Sequence, residues 1–286
     1  AASACIAGPE VWPGEGNING DPLFCGWDAR GEVWVDPANP AAGDGSEANP
    51  YADPRAASFR LSLAAGSPCI GAGKDGADMG VDAGRCDDSR SATLTVHLAA
   101  GTYIAGDFDL VHRLSLIGAG RDQVIVAGTL SGLRGGCRLQ GLTVTGGAWG
   151  GIRVSAGEDP EISDCAITGN TNSYYGGGVY CGPSSSPALT NCTIAGNSTR
   201  GYGGGVWCGE SSTVMLANCA IAENSAGDGG GVWCAKSSVV SLTDCAITAN
   251  RALSSSGHRY GGGVYCAEAS LTLTACTITG NRASWG

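Results

Sequence analysis

Two sets of residues recur at a spacing that lets them act together. Cys165, Cys192, Cys219, Cys245 and Cys276 follow one another at steps of 27, 27, 26 and 31 residues, accompanied by Cys181, Cys208, Cys234 and Cys266. Arg153, Tyr180, Trp207, Trp233 and Tyr265 share one place in a second recurring block. Thiols so spaced either join as disulfides or pack as small apolar residues. Rings in register offer large, stiff contact area to a sugar or a protein. Fourteen cysteines with no C-x-x-C pair point away from zinc and toward oxidised bonds in an extracellular chain. Pairing within a repeat would join Cys181–Cys192, Cys208–Cys219, Cys234–Cys245 and Cys266–Cys276, and Cys137–Cys165 would follow. Cys5, Cys25, Cys69 and Cys86 would then make two further bonds. Bonds between neighbouring repeats, and a ladder of free thiols, are the alternatives.

The elements that position these residues follow from the repeat itself. GGGVYC at 176–181 recurs as GGGVWC at 203–208 and 229–234 and as GGGVYC at 261–266. CAITGN at 165–170 recurs at 192–197, 219–224, 245–250 and 276–281 as CTIAGN, CAIAEN, CAITAN and CTITGN. A fixed period of about 27 residues marks a solenoid. Alternation places Val179 and Cys181 inward and Tyr180 outward on a first strand, then Leu189 inward and Thr190 outward on a second. Asn191 breaks the alternation so that Cys192 and Ile194 also face in, which a left-handed corner residue accomplishes. Asp164, Asn218 and Asp244 stand at the equivalent place, and Ala275 is the exception. A third strand ends at Asn197, equivalent to Asn170, Asn224, Asn250 and Asn281, before a glycine-rich return. No segment carries a 3.6-residue apolar period. The expectation is an all-β chain, a parallel β-helix with three strands per coil, over 92–286. ALSSSGHRY (252–260) is an insertion in one return that leaves the strands in register.

The GGGV and C-x-I-x-x-N blocks resemble the right-handed parallel β-helix repeats of secreted bacterial proteins. They are similar to the GGA-[ILV] and F-x-x-N repeats of chlamydial polymorphic outer-membrane proteins, with Gly178 in place of Ala and Ile in place of Phe. The resemblance covers about 140–286 well, and 92–140 more loosely through LTVHLAAGTY (94–103) and LSLIGAG (114–120). It implies a fold, an extracellular or cell-surface location and no single activity, since enzymes, adhesins and filaments share it.

Residues 1–91 differ in composition and lack the period, and are read as an irregular module with a possible docking or capping role. GEGNINGDPLF (14–24) and GSPCIGAG (66–73) resemble segments that follow such arrays, whereas 33–51 resembles one that precedes them. The repeats stop where another GGGV block is due, which would leave strand edges and core open to a further rung. Copies docking head to tail would then build a filament, the main functional expectation.

A net charge of −10 argues against nucleic acid and anionic membranes, and no apolar run of 18 residues spans a bilayer. The aromatic stripe supports carbohydrate binding as the alternative, in an adhesin or a polysaccharide-degrading enzyme. Outward third-strand positions hold Ala166, Thr193, Ala220, Ala246 and Thr277, a flat face suited to packing on another chain. Asp107 and Asp109 near His112 and Arg113, and Glu158, Asp159 and Glu161, are the best acidic groups. They read more simply as solvated turn residues, so the chain is expected not to be an enzyme, with a lyase or glycoside hydrolase as the alternative. No cofactor is expected. Asp75, Asp78 and Asp82, or Asp44, Glu47 and Asp53, are the places where calcium would sit, without EF-hand spacing. His97, His112 and His258 are too scattered to form a metal site.

Overall fold

The computed structural model describes residues 94–110, 114–253 and 260–283, with segments 5–6, 18–19 and 32–35 and residues 38, 48 and 50 of the N-terminal region. The chain divides into two compact units, residues 1–92 and 93–286. In the first, Cys5–Ile6 pairs in parallel with Ile18–Asn19, and Glu32–Val35 is a further strand. The candidate calcium loops lie outside the described residues.

The second unit is a parallel β-helix. First strands Ile152–Val154, Val179–Cys181, Val206–Cys208, Val232–Cys234 and Val264–Cys266 stack in register. Second strands run from Glu161–Ser163 through Ala188–Thr190, Thr213–Ala217 and Val239–Thr243 to Ser270–Thr274. Third strands run from Ala166–Thr168 through Thr193–Ala195, Ala220–Ala222 and Ala246–Thr248 to Thr277–Thr279. Because each strand lies over its own equivalent, the inward side chains form columns: Ile167, Ile194, Ile221 and Ile247 are each 0% exposed. A like residue above and below gives each methyl group a complementary surface, so dispersion and burial repeat coil by coil.

The corners are built as the alternation requires. Asp164, Asn191, Asn218, Asp244 and Ala275 all have φ between 51 and 55°. The other corner differs from expectation in one respect. The buried asparagine does not end the coil's β structure but leads into a fourth, two-residue strand. Thr171–Asn172, Ser198–Thr199, Ser225–Ala226 and Arg251–Ala252 form a separate four-stranded parallel sheet. Its two-residue length is too short for alternation to reveal. The return after it passes close to the coil above. A Cβ on Gly178 would lie 2.6 Å from the Gly205 carbonyl oxygen and 2.8 Å from Nδ2 of Asn197, which explains glycine where the resembling repeats carry alanine.

The opening coils are simpler. Val124–Leu133 is one continuous strand whose first half pairs with Thr143–Gly146 and whose second half pairs with Ile152–Val154. It therefore spans what later coils divide by a corner. The insertion behaves as expected, because Val232, Trp233 and Cys234 still oppose Val264, Tyr265 and Cys266. In the last described rung the inward residues are open: Leu273 is 42% and Ile278 48% exposed, against 0% for Leu242 and Ile247 one coil earlier.

Candidate functional site: an aromatic edge and two thiol columns

The stripe expected from Arg153, Tyr180, Trp207, Trp233 and Tyr265 exists and is continuous in register. The Arg153 guanidinium lies 4.4 Å from the centroid of the Tyr180 ring, a cation–π contact. Tyr180 stacks on Trp207 at 4.7 Å and 15°, and Trp233 on Tyr265 at 4.4 Å and 27°. Burial raises the pKa of Tyr180 above the usual tyrosine range, with Arg153 opposing the shift.

These rings are an inner tier. The return before three of the four GGG blocks supplies an outer one. Tyr175 lies 4.9 Å from Trp207, Tyr202 4.3 Å from Trp233 and Tyr260 5.4 Å from Tyr265, all tilted. Trp207 is consequently only 8% exposed, whereas Tyr175 is 41% and Tyr174 70% exposed. The most exposed rings are thus Trp149, Tyr174, Tyr175, Tyr202 and Tyr260, which the pattern of the stripe alone did not single out, while Tyr180, Trp233 and Tyr265 are partly exposed. Their signal was present in the letters: YYGGG, GYGGG and RYGGG put tyrosine directly before three of the four blocks. Asp228 takes that place in the remaining block and accepts a hydrogen bond from the Tyr260 amide at 2.7 Å.

Asn172 organises the wide end of this edge. Its Nδ2 donates to the carbonyls of Trp149 (2.9 Å) and Tyr175 (2.7 Å), and its Oδ1 accepts from the Tyr174 amide at 3.1 Å. Arg153 donates to the Trp149 carbonyl at 3.3 Å. One side chain thereby ties together the segments that carry the three most prominent rings, and Arg153 adds a fixed positive charge beside them.

The cysteines are placed differently. Cys181, Cys208, Cys234 and Cys266 are Cα partners from coil to coil. Cys165, Cys192, Cys219, Cys245 and Cys276 form a second column, each preceding a third strand. The nine cysteines of these two columns are free thiols, and Cys181, Cys208 and Cys234 are 0% exposed. In the second column the thiols donate to carbonyls, Cys192 to those of Ile162 and Thr190 and Cys219 to those of Leu189 and Ala217. Hydrogen bonds from Cys208 and then Cys266 hold the Cys234 thiol down at about 5. Cys192 and Cys219 are pushed up to about 12, chiefly through their bonds to Cys165 and Cys192 respectively. Cys25, Cys69 and Cys86, and the side chain of Cys5, lie outside the described residues.

Other candidates do not assemble. Glu161 pairs with Arg138 at 2.9 Å on the exposed surface, while Glu158 accepts from the Gly135 amide, as turn residues do. Ala166, Thr193, Ala220, Ala246 and Thr277 form the flat third-strand face. The side chains of Asp107 and Asp109, and His112, Arg113 and His258, lie outside the described residues. Among the described residues, no group of three or more His, Cys, Asp or Glu is placed to hold a metal ion. No helix among them is long and apolar enough to cross a membrane.

Comparison with known proteins places the fold. No curated protein matches the chain. Among solved structures, a pectin methylesterase from carrot is similar at 15% identity and TM-score 0.46, covering 88% of this chain and 86% of that one. A deglycosylated pectin methylesterase from Aspergillus niger is similar at 15% identity and TM-score 0.39, covering 74% and 86%. These neighbours correct one expectation. They are enzymes, so the reading of this chain as a non-enzyme does not stand. At this identity and TM-score the likeness transfers neither substrate nor catalytic residue. The model for the right handed beta helix region matches residues 128–284, the span in which the stacked coils are most regular. That match covers more than half of the sequence, and the chain belongs to the right handed beta helix family.

Proposed function

We propose that this β-helix is an extracellular carbohydrate-binding protein that takes a glycan along its aromatic edge. The observation that carries this reading is the exposed group Trp149, Tyr174 and Tyr175, at 56, 70 and 41% exposure, braced by Asn172 beside Arg153. Pyranose rings present an apolar C–H face and a hydroxyl rim. Ring faces at Trp149 and Tyr174 suit the first, while tyrosine hydroxyls and Arg153 suit the second. Further along the edge the rings stack on one another, so Tyr202 and Tyr260 offer edges and hydroxyls rather than open faces. The glycan therefore stacks at the wide end and hydrogen-bonds along the rest. Stiff rings held by packing lose little entropy on binding, which favours an extended ligand.

The test is retention of the full chain on a panel of insoluble polysaccharides, followed by isotherms on any that retain it. Replacing both Trp149→Ala and Tyr174→Ala should weaken binding by about tenfold or more, equivalent to the loss of ~1.4 kcal/mol or more. Retention by none of the panel, or equal binding by the double variant, overturns the proposal.

A further inference from the structure

We infer that oxidation joins cysteines of neighbouring coils, Cys181 to Cys208, Cys234 to Cys266, Cys165 to Cys192 and Cys219 to Cys245. The strand register is the first ground. Cys181, Cys208, Cys234 and Cys266 oppose one another directly, and the third strands hold the other column in equal register. Neighbouring strands lie about 4.8 Å apart. That falls inside the Cα separation of roughly 4.4–6.8 Å that a disulfide spans. Burial is the second ground: Cys181, Cys208 and Cys234 are each 0% exposed and stacked one above another. Pairing within a coil, across the core from a first strand to a third, has no such register in its favour.

The start of each column selects the partners. Val154 stands opposite Cys181 in the preceding coil, so Cys181 has only Cys208 beside it in its column, which leaves Cys234 for Cys266. Thr143 stands opposite Ala166 and so puts Leu142 before Cys165 in the same way; Cys165 therefore takes Cys192, and Cys219 takes Cys245.

The oxidant is an external disulfide, either a small one such as oxidised glutathione or that of an oxidoreductase. A cysteine thiolate attacks one of its sulfurs, expels a thiolate and forms a mixed disulfide. The neighbouring cysteine then loses its proton, attacks the mixed disulfide and expels the second thiolate. Two protein thiols lose two electrons and two protons, and the external disulfide becomes two thiols. Because the finished columns are buried, the exchange belongs to the stage at which coils are closing.

The full chain is refolded from reductant in a glutathione redox buffer, free thiols are alkylated, and the product is cut after aromatic residues and leucine. Such cuts separate all ten cysteines from Cys137 to Cys276. Expected are linked peptides carrying Cys181–Cys208, Cys234–Cys266, Cys165–Cys192 and Cys219–Cys245. Linked peptides carrying Cys181–Cys192, Cys208–Cys219 or Cys234–Cys245 overturn the inference, as does alkylation of every thiol in both columns. A Cys208→Ser variant separates the two patterns independently. Bonding between coils then exposes Cys181 to alkylation after denaturation and leaves Cys219 linked, whereas bonding within coils exposes Cys219.

Discussion

Two columns of asparagine run along this solenoid, one at each corner of the third strand, and they do different work. Asn191 and Asn218 are themselves the left-handed residues of their corner, with φ of 55 and 52°, and their side chains point to solvent. Asn197 and Asn224 follow the left-handed residue of theirs, Gly196 (φ 63°) and Glu223 (φ 56°), and turn inward to 0% exposure. Oδ1 of Asn224 accepts from the Asn197 amide and from its Nδ2, while Nδ2 of Asn224 donates to the Ile194 carbonyl and to Oδ1 of Asn250. The same side chain is a backbone device at one corner and a hydrogen-bonded strut at the other. A column of amides inside an apolar core is stable only because every member is satisfied by its neighbours.

The largest effect should come from breaking the strut. Asn224→Ala leaves the Asn197 amide and Nδ2 and the Ile194 carbonyl without their partner, and should cost about 3–5 kcal/mol by denaturant unfolding. A loss below about 1 kcal/mol would mean that water or relaxation replaces the amide, and the contrast between the columns would fail. Asn218→Ala removes only an exposed 2.8 Å bond to Asn191 and puts a Cβ-bearing residue without a polar side chain at φ 52°. It should cost about 1 kcal/mol, and Asn218→Gly should restore most of that.

Ala249 sharpens the comparison from the other side. It sits at φ 55° where three equivalents are glycine. Ala249→Gly should therefore stabilise the chain by about 0.5–1 kcal/mol, a rise in melting temperature without any new contact. The smallest effect belongs to Ala275, the exception of the exposed column at φ 51°. Ala275→Asn should gain about 0.3 kcal/mol, since asparagine tolerates this conformation better. If Ala249→Gly destabilises while Asn224→Ala is mild, the assignment of backbone and strut roles to the two corners is wrong.

Much of this was legible beforehand, for reasons that can be stated residue by residue. Val179 and Cys181 facing in around Tyr180, the left-handed Asn191 corner and the in-register insertion all follow from alternation and period. The two-residue strand Ser198–Thr199 did not, because two residues carry no alternation. The aromatic stripe follows from the spacing, but how far each of its rings is covered does not. Whether Trp207 meets solvent depends on Tyr175, which lies in the preceding coil. That contact is set by how the return folds over the first strand. The thiols show the same division: their spacing allowed bonds within or between coils, and only the register brought Cys181 against Cys208.

Period and side-chain alternation, read from the letters, were enough to define the coil, its corners and the direction of each inward residue. These are local consequences of which φ and ψ a residue tolerates and which side chain leaves water. What stacks on what, and therefore which rings are covered and which sulfurs meet, was decided by the packing of one coil on the next. Such contacts join residues 26–32 positions apart through the register of parallel strands, and no local preference specifies them.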